Sequence, residues 1–378
     1  MPRVAINQTG PAIVQVVPGH AEAPSGVIDY ARGLARSIRS HADISTIFVS
    51  ASRSRRVPSD EHWQIVKSPK ARFLCEAVQS AVGGRETRAI VVHFSGYGYQ
   101  KRGVPWWLLN GLRAWKSRSS SIPIVTIFHE LYATGQVWNS SFWLSFAQKR
   151  IARSLLSISS VAICPSAHVS QTLSTWAGHN CTQILTMPVF SNVGEGGDEL
   201  VAGKREAIAV VFGLSGVETR LYGAYRAQLE KVVSVLRIQK ILDIGPRTLT
   251  MPETLGGATF IRMGILSSEE ISELLRKSKF GLIAYPLDVI GKSGVFAAYA
   301  ANGVVPIVFS EKGRRSSFDG IRVGEQCLDG LEISDPVSSD TLEKVQSQAV
   351  AWYSSHSCKA QAESLVKTLC RPGSAAGV

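Results

Sequence analysis

The sequence predicts an α/β protein made of two doubly wound, Rossmann-like domains, each with a parallel sheet between layers of helices. Short apolar runs alternate with longer amphipathic stretches, this rhythm stops once and starts again, and a segment rich in glycine and charge separates the two series. Alternating strands and helices predict parallel sheets, because parallel neighbours need a crossover connection and are buried on both faces. A chain of 378 residues is long enough to bury two such cores.

The two series divide the chain into domains. The predicted strands of the first series are PAIVQVV, DISTIFVS, RAIVVHFSG and IPIVTIFHE, and those of the second are EAIAVVFGL, KILDIG, FGLIAYP and VVPIVFS. Between them, SNVGEGGDELVAGKRE has the composition of a linker. We predict an N-terminal domain over residues 1–195, a C-terminal domain over 196–345 and a last helix over 346–370. Such sheets bind ligands at the carboxyl ends of their strands, so we expect the two domains to face a central cleft.

The amino-acid composition limits the possible classes of function but does not identify one. The net charge of +12 favours partners that carry phosphate, which include nucleotides, anionic lipids and nucleic acid. The basic residues accompany no recognised nucleic-acid-binding motif, so we expect no nucleic-acid partner. The sequence has no run of eighteen apolar residues and no pattern of a signal peptide, which predicts a cytoplasmic protein. The six scattered cysteines predict reduced thiols and no metal site, and no GxGxxG follows the first strand, as a dinucleotide-dependent oxidoreductase would need.

The most informative segment follows a predicted strand of the second series. There Gly291–Gly294, with the sequence GKSG, opens a helix. The unpaired N–H groups and the dipole of a helix start attract anions, and the flanking glycines Gly291 and Gly294 let a phosphate come close. Lys292 would add a positive charge and Ser293 a hydroxyl donor to a bound diphosphate. The alternative is that Ser293 only caps the helix and Lys292 is a solvated surface residue.

A second candidate for anion binding follows the strand EAIAVVFGL. Gly213, Ser215 and Gly216 form the loop, and Arg220 lies just before the next helix. A guanidinium there would clamp a diphosphate through two hydrogen bonds and offset the charge that develops on a leaving group. A surface arginine near a helix start is an equally good interpretation of the same pattern.

The first series offers candidates for contacting a second substrate. Ser25 and Gly26 open the first helix, and Gly26 would let a ligand approach the backbone closely. Tyr97 follows the RAIVVHF strand, and His129 and Glu130 follow the IPIVTIF strand. A histidine and a glutamate at the carboxyl end of a strand would position an acceptor or exchange its proton. A structural histidine and an ordinary capped turn are the alternatives.

Two stretches, RGVPWWLLNGLRAWKSR and NSSFWLSFAQKRIARSLL, combine aromatic with basic residues. This composition is typical of helices that lie among lipid headgroups, and it predicts peripheral contact with an anionic membrane through Trp106, Trp107, Trp115 and Trp143. The alternative is that the same aromatic side chains pack in the core.

With these segments in place, nearly the whole chain resembles bacterial glycosyltransferases of the GT-B superfamily, and is closest among them to the group-one (family four) retaining transferases. The resemblance is carried by SGVIDYARGLARSI, FHELYA, VVFGLSG, FIRMGILSSEEISELLRKSKFGLIAYP and KSGVFAAYAANGVVPIV. It implies a GT-B fold, a nucleoside diphosphate sugar bound near Arg220, Lys292 and Ser293, and a polysaccharide or lipid-linked glycan acceptor near His129. It also implies a C-terminal helix that crosses back to the N-terminal domain, and no bound cofactor or metal, because cationic side chains and helix termini do the work of a cation.

One feature departs from the family pattern. Its members usually carry two glutamates separated by seven residues in the last region, but alignment on Gly303 places Ala298 at the second position and Ile290 eight residues before it. Asp288 lies nearby, and we count it among the donor-binding residues. The departure leaves open the stereochemical outcome and a second interpretation, in which a catalytically inactive GT-B protein binds nucleotide sugar or glycan without turnover.

Overall fold

A computed structural model describes residues 10–19, 25–51, 61–119, 121–133, 140–178, 182–196, 205–213, 216–313 and 317–370 of the chain. The side chains of residues 140–143 and 370 also lie outside this description.

The chain divides into two compact units, of which unit 1 covers Met1–Met187 with Cys358–Val378 and unit 2 covers Pro188–Ser357. This division falls earlier in the chain than the predicted boundary after residue 195, because several hydrogen bonds join residues 188–196 to the rest of unit 2. The N–H of Val189 donates to the carbonyl of Gly291 over 2.9 Å, and the N–H of Ser191 donates to the hydroxyl of Tyr353 over 2.9 Å.

In the described part of unit 1, seven strands form one parallel sheet in the order β3-β2-β1-β4-β5-β6-β7. The strands are β1 Ala12–Val17, β2 Ser45–Ser50, β3 His62–Ile65, β4 Thr87–Phe94, β5 Ile124–Phe128, β6 Val161–Cys164 and β7 Gln183–Thr186. The sequence predicted β1, β2, β4 and β5. It missed β3, β6 and β7 because each has four residues, and the edge strands β3 and β7 are only partly buried and so lack a full apolar run.

The helices of unit 1 pack on this sheet through apolar stripes. In α1, Ile28, Leu34 and Ile38 are buried at helical spacing, which explains why this segment folds as an amphipathic helix. The described helices are α1 Gly26–Ala42, α2 Ala71–Val82, α3 Gly96–Tyr99, α4 Trp106–Lys116, α5 Ser140–Ile158, α6 Ala167–Ala177 and, from the end of the chain, α11 Cys358–Cys370.

In the described part of unit 2, seven strands form a sheet in the order β10-β11-β9-β8-β12-β13-β14. All neighbours are parallel except β10 and β11. The strands are β8 Glu206–Phe212, β9 Lys240–Ile244, β10 Thr254–Leu255, β11 Ala258–Gly264, β12 Ser278–Ala284, β13 Val305–Phe309 and β14 Leu328–Asp329. The sequence predicted β8, β9, β12 and β13, and missed β11 because its side chains alternate between buried and exposed instead of forming an apolar run.

The described helices of unit 2 are a π-helical turn Val217–Ala224, α7 Arg226–Val235, α8 Ser268–Lys277, a 3₁₀ helix Leu287–Lys292, α9 Gly294–Ala301 and α10 Ser339–Ser354. The last helix predicted over 346–370 is two helices, since α10 ends at Ser354 and α11 begins at Cys358. The break also divides them between units, because α10 belongs to unit 2 while α11 packs against α1 in unit 1.

The two sheets share one strand order. Without the antiparallel edge strand β10, the order in unit 2 is third, second, first, fourth, fifth and sixth in the chain, as it is for the first six strands of unit 1. In each sheet the order in which strands are added therefore reverses beside the first strand. The reversal lies between the parallel neighbours β1 and β4 in unit 1 and between β8 and β12 in unit 2. Open sheets of this kind bind ligands beyond the carboxyl ends of the strands at such a switch point.

Helix α9 is packed tightly onto the centre of the second sheet. The Tyr299 hydroxyl lies 2.8 Å from the carbonyl oxygen of Val210 on β8 and 3.1 Å from that of Leu282 on β12. The Tyr299 ring covers Gly281, where an added Cβ would lie 2.5 to 2.6 Å from three ring atoms. This close approach is what requires a glycine at the centre of β12.

A buried ion pair lies at the carboxyl end of β9. The Nε of Arg247 is 3.1 Å from Oδ1 of Asp243, and the side chains are 3% and 0% exposed. The Arg247 guanidinium also donates to the carbonyl of Gly213 over 2.8 Å and to that of Ile244 over 3.0 Å. Arg247 therefore connects the loop after β8 to the end of β9.

We expect Gly281→Ala to lower the free energy of unfolding by about 1–3 kcal/mol or more, because the added methyl group overpacks the core against Tyr299. Gly26→Ala is the matched control, since among the described residues an added Cβ there meets no atom within 4 Å beyond its chain neighbours and its own helix backbone. The control should change stability by less than about 0.5 kcal/mol. Urea denaturation of both variants is the measurement, and equal losses would contradict the packing argument.

We expect Arg247→Met to cost about 3–5 kcal/mol of stability, because it leaves the Asp243 carboxylate buried without its partner. Arg226→Met is the control, since Arg226 and Glu230 form a pair at the same spacing with side chains 44% and 41% exposed. The control should cost less than about 1 kcal/mol. A double variant, Asp243→Asn with Arg247→Met, should recover part of the loss in the same denaturation experiment, and no recovery would contradict the role of the buried charge.

Candidate functional site

The two predicted anion-binding segments of unit 2 lie side by side. β8 and β12 are neighbours in the sheet, so the loop after β8 and the start of α9 meet at the same edge. A Cβ built on Gly213 would lie 3.5 Å from Cγ2 of Val295, in the first turn of α9. Gly213 and Gly216 have φ angles of +131° and +79°, which favour glycine. The fold therefore brings these two distant segments together at the switch point of the second sheet.

The start of α9 differs in detail from the predicted one. α9 begins at Gly294, whereas Gly291 and Lys292 end the preceding 3₁₀ helix. Ser293 is the N-cap residue, and its Oγ accepts the N–H of Phe296 over 3.2 Å, so this hydroxyl is already used by the helix. Among the described residues, the N–H groups of Gly294 and Val295 have no acceptor. These two N–H groups are the ones available to an anion.

The two predicted cations at this edge, Arg220 and Lys292, are unpaired within the described part of the chain. Arg220 is exposed and its side chain lies beside Gly216, while Lys292 is half-buried. Neither has a carboxylate partner among the described residues. Oδ1 of Asp288 is buried and, within the same described ranges, has no hydrogen-bond partner. Ser215, the remaining predicted member, lies outside the described residues.

The sequence missed three residues that contact this edge. Arg247 holds the carbonyl of Gly213, as described above, and Oδ1 of Asn192 would lie 3.6 Å from a Cβ on Gly294. Glu218 accepts the N–H groups of Thr248 and Leu249, and these hydrogen bonds lower the pKa of its carboxyl group. No local motif marks these contacts, because each joins segments that are distant in sequence.

In unit 1, His129 belongs to a polar cluster that runs from the middle of β1 to the carboxyl ends of β4 and β5. Nε2 of His129 lies 3.1 Å from Nδ1 of His93, and Nε2 of His93 lies 2.6 Å from Oε1 of Gln15. Gln15 and His93 are fully buried, whereas His129 is half-buried. The sequence indicated His129 but missed its two partners, although a glutamine inside an apolar strand was a visible signal.

Helices α1 and α11 complete the cluster. The Tyr30 ring meets the rings of His93 and His129 edge to face, at centroid distances of 5.9 Å and 5.2 Å. The Tyr30 hydroxyl donates to Oε1 of Gln361 on α11. Burial, and secondly the neighbouring His129, hold the pKa of His93 well below its usual range, so its ring is neutral. Burial raises the pKa of Tyr30, which keeps the hydroxyl protonated.

The other predicted residues of unit 1 lie on nearby elements. Glu130 is exposed and accepts a hydrogen bond from Oγ of Ser95 over 3.1 Å. Ser25 is the N-cap residue of α1 and Gly26 its first residue, one turn before Tyr30. Tyr97 is 42% exposed, in the short helix that follows β4, and its hydroxyl accepts a hydrogen bond from Gln148 over 3.2 Å.

The aromatic stretches have mixed environments. Trp115 is fully buried in the core of unit 1 and Trp107 packs against that core, so the core interpretation is correct for these two residues. Trp106 is 37% exposed. The side chain of Trp143 lies outside the description.

Metal-ligand clusters and membrane-spanning helices are both absent from the part of the chain that the structure describes. In these ranges no group of three or more His, Cys, Asp or Glu side chains is arranged to hold a metal ion. None of the helices described has the length and hydropathy needed to cross a bilayer.

Comparison with known proteins identifies the fold. No protein-family model and no curated protein sequence matches the chain. Three solved structures align over 96% of it. An alpha-glucosyltransferase in complex with UDP-glucose and DNA containing an abasic site has a TM-score of 0.61, 11% identity and 99% of its own chain covered. The alpha,alpha-trehalose 6-phosphate synthase of Burkholderia multivorans has values of 0.60, 10% and 98%.

The third structure is UGT2 of Phytolacca americana, complexed with UDP-2-fluoro-glucose and pterostilbene, with a TM-score of 0.54, 10% identity and 98% of its chain covered. These alignments span both sheets of this chain and nearly all of each neighbour. Two mostly parallel seven-stranded sheets with flanking helices agree with that similarity. The chain therefore has the two-domain α/β fold of the GT-B glycosyltransferases, as the sequence predicted.

Proposed function

We propose that this protein is a glycosyltransferase that moves a sugar from a nucleoside diphosphate donor to a polysaccharide or lipid-linked glycan acceptor. The observation that carries the proposal is the edge of unit 2 at which the loop after β8 meets the start of α9. Two unpaired backbone N–H groups and two cations without carboxylate partners in the described ranges lie there. This combination suits a diphosphate. Neighbours of the same fold were solved with UDP-glucose and UDP-2-fluoro-glucose.

In the proposed reaction, the acceptor oxygen forms a bond to C1 of the donor sugar as the bond from C1 to the diphosphate oxygen breaks. The electron pair of the broken bond leaves with the nucleoside diphosphate. Arg220, Lys292 and the N–H groups of Gly294 and Val295 would stabilise the developing negative charge, which makes a bound metal unnecessary. The proton of the acceptor hydroxyl would pass to His129, with Glu130 as a second contact to the acceptor.

The remaining predicted residues take supporting roles in the proposal. Gly213, Ser215 and Gly216 would let the donor approach the backbone, and Asp288, with an unpaired buried oxygen, would accept hydrogen bonds from donor hydroxyl groups. Ser25, Gly26 and Tyr97 would line the acceptor side.

We expect a thermal-shift screen to show stabilisation by a nucleoside diphosphate, because a ligand that binds only the folded state raises the melting temperature. UDP and UDP-glucose are the first probes, followed by the corresponding adenosine, guanosine and thymidine compounds. Lys292→Ala and Arg220→Ala should each weaken binding of the stabilising compound roughly 10- to 100-fold, which corresponds to the loss of a charged hydrogen bond.

Lys231→Ala is the matched control, since Lys231 is exposed on α7 of the same unit. The control should bind the nucleotide as the unchanged protein does. The proposal fails if no nucleoside diphosphate stabilises the protein, or if both site variants bind it with unchanged affinity.

A second candidate function is binding of a nucleotide sugar or glycan without turnover. The observation that favours it is the residue at the second glutamate position, Ala298, which is fully buried in α9, as Ile290 is in the preceding 3₁₀ helix. Neither position presents a carboxylate. Donor binding without release of nucleoside diphosphate, in the presence of acceptor glycans, would favour this candidate over the enzyme.

We further propose that α5 contacts an anionic membrane. Phe146 is 73% exposed and lies beside Lys149, Arg150 and Arg153 around a shallow cavity of about 330 Å³. α5 carries no acidic residue, and none of the three cations pairs with a carboxylate among the described residues. An exposed aromatic ring within a basic helix face is typical of contact with lipid headgroups.

Two of these cations are held in place by aromatic rings. Lys149 lies 4.5 Å from the centroid of Tyr132, and Arg153 lies 4.9 Å from that of Trp176.

We expect the protein to sediment with vesicles that contain phosphatidylglycerol and not with pure phosphatidylcholine vesicles. Arg150→Gln should weaken this binding by about fivefold, since one basic residue near an anionic surface contributes about 1 kcal/mol, and Phe146→Ser should weaken it further. Lys231→Gln, in unit 2, is the control for total charge. Equal effects of Lys231→Gln and Arg150→Gln would contradict this surface, and salt-sensitive binding of duplex DNA in place of vesicles would overturn the membrane assignment.

A further inference from the structure

Gln15, His93 and His129 form a diagonal line across three adjacent strands of the first sheet. In the parallel register, Gln15 is paired with Val91 and His93 with Ile127. Residues two apart on a strand share a face, so Gln15 on β1, His93 on β4 and His129 just after β5 project from one face. Each step also moves two residues towards the carboxyl edge. The line therefore runs from the buried interior of the sheet to the half-buried ring of His129.

The Gln15 side chain determines which atom donates and which accepts in each hydrogen bond along this line. Oε1 of Gln15 accepts hydrogen bonds and has no proton to donate, so Nε2 of His93, 2.6 Å away, must be protonated. The His93 ring is completely buried, where a second ring proton would place an unpaired charge in the core. Nδ1 of His93 consequently keeps its lone pair. The ring nitrogen 3.1 Å from it, Nε2 of His129, must then be the donor.

We propose that Gln15 and His93 are positioning residues that fix His129 in the tautomer with the proton on Nε2 and the lone pair on Nδ1. Neither residue needs to touch a substrate. Tyr30 contributes orientation instead of polarity, because its ring meets both imidazoles edge to face and its hydroxyl bonds to Gln361.

The catalytic role of this tautomer rests on the proposed function, in which His129 accepts the acceptor proton. The tautomer itself follows from the hydrogen-bond geometry alone. A neutral histidine can take a proton from an acceptor hydroxyl only through the nitrogen that carries the lone pair. Fixing that nitrogen as Nδ1 removes the fraction of protein molecules in which His129 is protonated on Nδ1 and would present an N–H to the hydroxyl. When Nδ1 takes the acceptor proton, the positive charge on His129 is shared with His93 and Gln15 through the same hydrogen bonds.

The direct test is the protonation of the ring nitrogens, measured by nitrogen–proton correlation spectra of the whole protein labelled with ¹⁵N-histidine. The eight histidines are assigned by substitution, with His93→Asn and His129→Asn identifying the two of interest. We expect both rings to be protonated on Nε2 and unprotonated on Nδ1. A His129 ring protonated on Nδ1 would overturn the proposal, whatever the activity of the protein.

Gln15→Leu tests whether Gln15 sets this direction. The variant removes the acceptor for His93, so we expect the Nδ1 and Nε2 signals of His129 to move towards the average of the two tautomers. Gln15→Met, which keeps the length of the side chain, serves if the leucine variant does not fold. Unchanged His129 signals in the folded variant would overturn the role of Gln15.

Tyr30→Phe is the matched control, because it removes a buried polar atom from the same cluster and leaves the line from Gln15 to His129 intact. We expect the nitrogen signals of His129 to stay at their original positions in this variant. Movement as large as in Gln15→Leu would mean that any loosening of the cluster changes the tautomer, which would overturn the proposal.

An activity measurement separates this inference from the proposed function. With an identified donor and acceptor, Gln15→Leu should lower kcat roughly tenfold or more while KM for the donor stays unchanged, since general base catalysis contributes about 10²- to 10⁴-fold. A fixed tautomer together with failure of every nucleotide to bind would sink the glycosyltransferase proposal and leave the tautomer assignment standing. Nucleotide binding and turnover with an averaged His129 tautomer would overturn the tautomer assignment and leave the glycosyltransferase proposal standing.

Discussion

The parallel pairing of β1 with β4 and of β8 with β12 is the constraint on which the rest of this structure depends. Parallel strands end at the same edge, and the reversal of strand order beside the first strand leaves that edge open to ligands. The two central groups of candidate residues follow from this arrangement. Gly213 and Val295 become neighbours because β8 and β12 are paired, and His93 and His129 become neighbours because β4 and β5 are paired.

Polar groups at these edges are held by partners from distant segments. Arg247 is buried against Asp243 and supports the carbonyl of Gly213, so a charged pair in the core shapes the loop beside the proposed diphosphate. In unit 1, Gln15 plays the comparable part for the histidines. Buried polar groups of this kind are costly without hydrogen-bond partners, so the contacts of Asp243 and Gln15 favour the arrangement that supplies those partners.

The switch points of the two sheets carry side chains and backbone groups of different chemical character. At the switch point of the second sheet, backbone N–H groups and the cations Arg220 and Lys292 favour an anion. At that of the first sheet, the neutral ring of His93 and the protonated hydroxyl of Tyr30, both beside His129, favour hydroxyl groups. This contrast suits a reaction with a charged donor and an uncharged acceptor group, and it is the physical basis of the function we propose.

The sequence by itself determined the fold class, because long apolar runs such as those of β1, β4 and β8 specify strands buried on both faces whatever their neighbours are. It also indicated the glycines at 213 and 216 and the N-cap at Ser293, since backbone conformation and capping are local properties. Short edge strands such as β3 and β7 escaped it, because four partly buried residues form no full apolar run.

Only the tertiary structure decided which residues act together. Residues 188–196 belong with unit 2 because of hydrogen bonds to Gly291 and Tyr353, and the end of the predicted last helix returns to unit 1 as α11. The partnership of Gln15, His93 and His129 depends on strand register, which a shift of one residue would destroy by turning the side chains to the opposite face. Register is a relation between strands, and the sequence of a single strand does not contain it.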